Sequence, residues 1–95
     1  MGVSSGPMTP LKGLVVVDLS RHLPGPLLTR MLKDLGADVV KVEPPTGDPA
    51  RFMPPMHGDA GALYTSVNAG KRGLALNLKQ DAARKILLNI VKQAD

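Results

Sequence analysis

Two short valine-rich runs, set apart by a leucine-rich stretch of helical period, constrain this chain more than anything else in it. The runs are Gly13-Leu14-Val15-Val16-Val17-Asp18 and Ala37-Asp38-Val39-Val40-Lys41-Val42-Glu43. Short, nearly continuous β-branched segments of this kind fit strands buried on both faces, as parallel sheets require. Between them Pro24-Gly25-Pro26 breaks the backbone, and Pro26 suits the first turn of a helix, where its missing N–H costs nothing. Leu27, Leu28, Met31, Leu32 and Leu35 then follow at helical spacing. Gly36 closes that helix, since glycine tolerates the left-handed conformation that commonly ends one. Strand, helix and strand within about 30 residues make a βαβ unit, with a right-handed crossover expected.

Pro44-Pro45 stops the second strand. From there to Gly70 the chain is rich in Pro, Gly and Met and has no firm period. A loop of that length is usually functional or carries short helical turns, and Ala62–Val67 is expected to be one such turn. Leu74-Ala75-Leu76-Asn77-Leu78 alternates and reads as a third strand. Asp81 stands where a helix cap belongs, ahead of a helix over Ala82–Gln93 that places Ile86, Leu87, Ile90, Val91 and Ala94 on one face. The fold class is therefore α/β: a partial Rossmann-like parallel sheet built as βαβ, long loop, βα. Three parallel strands with two helices leave an open edge and an uncovered face. Residues 11–95 are accordingly read as the N-terminal segment of a larger domain, marginally stable alone, and residues 1–10 as a flexible leader with Met8 a candidate natural start.

Composition narrows the function. Phe52 and Tyr64 are the only aromatic residues, so the chain lacks stacking platforms for bases. The net charge of +4 is spread among interleaved acids and bases, which is a mixed surface and not a nucleic-acid stripe. A modest positive balance suits an anionic small ligand. Absence of cysteine removes thiolate chemistry and fits a reducing, cytoplasmic setting. The longest apolar run, Leu14–Val17, is too short to span a membrane, and residues 1–10 lack a signal-peptide core. His22 and His57 are too few to argue for metal.

In their order, these motifs resemble one family. Pro10-Leu11-Lys12-Gly13-Leu14-Val15-Val16-Val17-Asp18-Leu19-Ser20 is similar to the opening of class III coenzyme A transferases. That group includes formyl-CoA, carnitine and bile-acid CoA-transferases and the α-methylacyl-CoA racemases. Pro24-Gly25-Pro26, the run Leu35–Pro45, Gly47-Asp48-Pro49-Ala50-Arg51 and Asn68–Lys79 continue the likeness to nearly the end of the chain. The resemblance implies a protein of several hundred residues, with a large CoA-binding Rossmann-like domain and a smaller one, working as an interlocked homodimer. It implies an acyl-CoA and a small carboxylic acid as substrates, with no metal. The attacking aspartate of the transferases, and the His and Asp pair of the racemases, would lie beyond Asp95, so no residue here is assigned as catalytic.

Candidate CoA contacts follow from two arguments. Ligands of open α/β sheets sit at the carboxyl ends of strands, and the Ser20–Gly25 loop joins such an end to a helix N-terminus, where anions are favoured. The resemblance places His22, Leu23 and Pro24 along the pantetheine arm and thioester, and Leu76 and Lys79 near the adenine and phosphates. Lys71, Arg72 and Lys79 offer charge to the phosphates, and Arg21 offers the same or a surface ion pair. For each of these bases a solvated surface role is the plain alternative. Leu23 stands where some transferases carry a glutamine, and Pro44 where an arginine often serves the nucleotide. Glu43 is expected to cap its strand or pair with Lys41 or Arg51.

The leading reading is a CoA-transferase, with an α-methylacyl-CoA racemase next. An NAD-dependent oxidoreductase would put its ribose-binding acid at Glu43, but the glycine fingerprint after the first strand is missing. A non-catalytic binding module is the remaining alternative.

Overall fold

A computed structural model describes residues 9–95, apart from the side chain of His57. Most of the leader, positions 1–8, lies outside the described residues. The chain runs β1 (Val15–Asp18), α1 (Pro24–Asp34), β2 (Asp38–Glu43), a 3₁₀ turn (Pro49–Phe52), β3 (Met56–His57), β4 (Ala60–Gly61), α2 (Ala62–Asn68), β5 (Arg72–Ala75) and α3 (Asp81–Lys92). β1, β2 and β5 form a parallel sheet with β2 in the centre. β3 and β4 make a small antiparallel hairpin inside the long connection. The order β5-β2-β1 is that of the first half of a doubly wound sheet, whose ligand crevice opens beside β1 at the carboxyl ends of the strands.

The expected βαβ unit is present, and the helical turn expected at Ala62–Val67 is α2. The third strand begins two residues and ends three residues earlier than the alternating pattern suggests. Its partner sets the limit: Ala75 pairs with Glu43, after which Pro44-Pro45 ends β2, and only Leu76 N–H still reaches Glu43 O, at 2.8 Å. Leu76 and Asn77 thereby leave the sheet and lead into a turn at Leu78-Lys79, closed by Gln80 N–H donating to Asn77 O at 3.0 Å. Asp81 is the first residue of α3 and not its cap; Gln80 holds the cap position without a side-chain bond, and Asp81 pairs with Arg84. Its carboxylate still favours the positive end of the helix.

Both sheet faces carry helix, where the sequence left one uncovered. On one face Ala83 and Leu87 of α3 pack on Val17, Val42 and Leu74, with Leu76 completing the small core. The opposite face presents Asp18, Val39, Lys41 and Glu43, since side chains alternate along a strand. All four are buried there, the last three along one strand. This polar floor explains the orientation of α1. Thr29, and not a leucine, sits over it, its hydroxyl donating to Asp18 Oδ2 at 2.7 Å. The apolar stripe of α1 turns outward, with Leu28 and Met31 58% and 56% exposed.

Candidate functional site

Charges buried under β1 and β2 fix the turn that follows β1. Asp18 accepts from the Ser20 N–H at 2.8 Å, from the Ser20 and Thr29 hydroxyls, and from Lys71 Nζ at 2.9 Å. Burial alone would push the Asp18 carboxyl up, but these donors outweigh it and bring it down to about 2 from its ordinary 3.8. Lys71 Nζ also donates to Pro26 O and Asn68 Oδ1, and both members of the Asp18–Lys71 pair are 1% exposed. Burial pushes the Lys71 ammonium down despite Asp18. The folded state holds Asp18 ionised where the unfolded chain would protonate it. Stability carried by Asp18 is therefore complete above pH 4 and lost as pH falls toward 2. A loss of about 2 kcal/mol is expected across that window, read as a falling urea midpoint, with an Asp18→Asn variant showing a shallower pH slope.

A second pair lies beside the first. Lys41 Nζ meets Asp48 Oδ2 at 2.9 Å, and the two side chains are 3% and 1% exposed. Next to it, Glu43 accepts from Arg51 Nε at 2.7 Å, from the Tyr64 hydroxyl at 2.5 Å and from the Asp48 N–H at 3.1 Å. The Arg51 guanidinium lies 4.2 Å from the Tyr64 ring centroid. Of the two partners expected for Glu43, the structure selects Arg51; Lys41 belongs to Asp48. Burial raises the Glu43 and Asp48 carboxyls, but Arg51 and Tyr64 on the first, and the Ala50 N–H and Lys41 on the second, hold both below the usual range. Tyr64 moves upward through burial and its bond to Glu43. Among the described residues no buried side-chain nitrogen or oxygen lacks a partner, so this polar layer is fully satisfied.

Above the layer, at the carboxyl ends of the strands, a cleft of ≈ 210 Å³ opens between the turn after β1 and the turn after β5. Leu19, Val42, Leu76 and Leu78 supply apolar walls, Ser20, Glu43 and Asp48 polar ones, and Arg21, Asn77 and Lys79 also line it. Arg21, Pro44, Asn77 and Lys79 are shared with an adjoining hollow of ≈ 410 Å³ that Pro45 and Thr46 complete. Among the described residues no carboxylate pairs with Arg21 or Lys79. Two exposed cations thus stand over an apolar slot.

The sequence candidates divide around this cleft. Leu76 and Lys79 line it. His22, Leu23 and Pro24 follow its lining residues directly and are exposed, but do not line it. His22 adopts a left-handed backbone, φ 66°, and its N–H donates to Asp48 Oδ1 at 3.3 Å. Lys71 is not a solvated base: its ammonium is buried against Asp18. Arg72 stands at the amino end of the sheet, its guanidinium 2.6 Å from Asp38 in an exposed pair. Sequence reasoning missed Asn77, Lys41 and Asp48. Two signals were available: Lys41 and Glu43, two charges one valine apart and so on the same face of an otherwise valine-rich strand, and an Asp before a helix-starting Pro, which caps the 3₁₀ turn through Ala50 N–H at 2.9 Å. The described residues contain no group of three or more potential metal ligands and no helix long and apolar enough to cross a membrane.

Known proteins resemble this chain over nearly its whole length. Residues 11–95 match the model of CoA-transferase family III. The chain is 44% identical over 90 residues to an acetyl-CoA:oxalate CoA-transferase of Acetobacter aceti, covering 94% of this chain and 23% of that protein. It is 47% identical over 93 residues to a succinyl-CoA:mesaconate CoA-transferase of Haloarcula marismortui, covering 93% of this chain and 24% of that protein. A crystal structure of a CAIB/BAIF family protein from Brucella suis superposes with a TM-score of 0.85 at 40% identity, over 93% of this chain and 25% of the other. The chain thus spans about a quarter of the length of the relatives it matches.

Proposed function

The chain belongs to CoA-transferase family III, and from that premise we propose that the complete protein moves coenzyme A between an acyl-CoA thioester and a carboxylic acid. The observation that carries this reading is the cleft at the carboxyl ends of β1, β2 and β5, with an apolar slot and the exposed cations Arg21 and Lys79. Coenzyme A is a long arm bearing phosphates at one end, and such a cleft answers both parts. Charge-assisted bonds from Arg21 and Lys79 suit the phosphates. Leu76 offers an apolar surface for the adenine, and His22, Leu23 and Pro24 flank the path of the pantetheine arm.

Lys71 and Arg72 have other partners, so in this reading Lys71 builds the site through Asp18, and Arg72 has no part in it. Asp18, Glu43 and Asp48 are each saturated by donors and cannot act as free nucleophiles without giving up those bonds. The attacking carboxylate is therefore assigned to none of these three. Named relatives transfer CoA to or from oxalate or mesaconate, which supports a small dicarboxylic acid as the second substrate. An oxidoreductase reading loses support because Glu43, where a ribose-binding acid would stand, is committed to Arg51 and Tyr64. The test is an exchange assay on the complete protein, with acetyl-CoA or succinyl-CoA as donor and oxalate or mesaconate as acceptor. Formation of the new thioester is expected; none with any pair of these substrates contradicts the reading.

A further inference from the structure

We propose that Lys41 and Asp48 are positioning residues, which hold the turn Ser20–His22 in the shape that forms the CoA cleft. The proposal rests on the CoA-binding reading above. The two side chains are almost fully buried, with Nζ and Oδ2 2.9 Å apart. As a pair they are weak evidence for stability, because desolvating two charges offsets most of their attraction, and an apolar pair of equal volume often does as well. What an apolar pair cannot do is bond the neighbouring turn. Lys41 Nζ donates to Ser20 O at 3.2 Å, and Asp48 Oδ1 accepts from His22 N–H at 3.3 Å. One pair thus grips both a carbonyl and an amide of a three-residue segment.

The segment needs a grip. His22 has φ 66°, a conformation that side-chain-bearing residues adopt rarely and keep only where the surroundings enforce it. Between the two held groups stands Arg21, which lines the cleft and is itself exposed. Because Lys41 belongs to β2, the turn after β1 is registered against the central strand of the sheet. Releasing it would let Ser20 and Arg21 drift from the opposite wall at Leu76–Lys79.

The test compares the complete wild-type protein with Lys41→Met and with Lys41→Met/Asp48→Asn. The single variant strands the Asp48 charge and is expected to melt at a lower temperature. The double variant strands none, and the amide oxygen of the Asp48→Asn side chain can still accept from Ala50 N–H, so its melting temperature is expected to return close to the wild-type value. The same oxygen can also keep His22 N–H, but Ser20 O loses its donor, so the Ser20 side of the turn stays released. Trypsin is expected to cleave after Arg21 about tenfold faster in the folded double variant, since cleavage follows local opening. The dissociation constant for CoA is expected to rise about tenfold or more in the same variant. A double variant with restored melting temperature but unchanged CoA affinity overturns the proposal. So does one that fails to recover its melting temperature, which would make the pair a stability device. A wild-type protein that does not bind CoA contradicts the functional reading instead, and the trypsin rate still reports whether the pair grips the turn.

Discussion

Lys71→Met is expected to destabilise the protein by about 3–5 kcal/mol, while Arg72→Met, one residue along, costs less than about 1 kcal/mol. The contrast follows from where each base finds its partner. Lys71 Nζ lies in the polar layer, 1% exposed, and donates to Asp18, Pro26 O and Asn68. Methionine fills the same volume but removes three donors at once. It leaves the Asp18 charge buried with only hydroxyls and an amide to satisfy it. Arg72 and Asp38 are 67% and 49% exposed, so water replaces whatever the guanidinium gave up. Urea unfolding at neutral pH reads both. Equal losses for the two variants would show that the buried pair has no special weight.

That contrast also marks how far the sequence could be read. The βαβ unit, the helix at Ala62 and the amphipathic last helix were legible because each rests on local pattern: valine runs, leucine spacing, and breakers at Pro44-Pro45 and Gly36. Strand β5 was displaced because its end is set by its partner β2, a relation that residues 74–78 do not encode. Lys71 and Arg72 look alike in sequence, and only the position of Asp18, 53 residues earlier, separates a buried ion pair from a surface one. The outward face of α1 was illegible for a related reason. A leucine stripe normally points to a core, but the sheet beneath α1 offers carboxylates and ammonium groups, and Thr29 answers them better.

At the cleft the balance was similar. Leu76 and Lys79 were placed through resemblance and do line the cleft, and the loop after β1 follows from the general rule for open α/β sheets. The polar layer that shapes the loop was hidden, because its members come from β1, α1, β2, the 3₁₀ turn with its cap Asp48, α2 and the segment before β5. Such a network is specified by topology first and by residue type second.

Removing both exposed cations of the cleft, Arg21→Ala with Lys79→Ala, is expected to raise the CoA dissociation constant of the complete protein by about a hundredfold. Each charge-assisted bond to a phosphate contributes about 1.5 kcal/mol, and each 1.4 kcal/mol is about tenfold in affinity. Neither side chain pairs with a carboxylate among the described residues, so the melting temperature should stay unchanged. Calorimetric titration across ionic strength separates the electrostatic share: affinity of the wild type should fall with salt more steeply than that of the variant. An unchanged dissociation constant would place the phosphates elsewhere.

The most direct measurement is amide hydrogen exchange of the complete protein with and without CoA, with NAD as the comparison ligand. If the turns after β1 and β5 form the two walls of the site, CoA slows exchange over residues 19–22 and 77–80, and NAD changes neither. Bound CoA that leaves both segments unprotected, or protection by NAD in its place, would contradict the account.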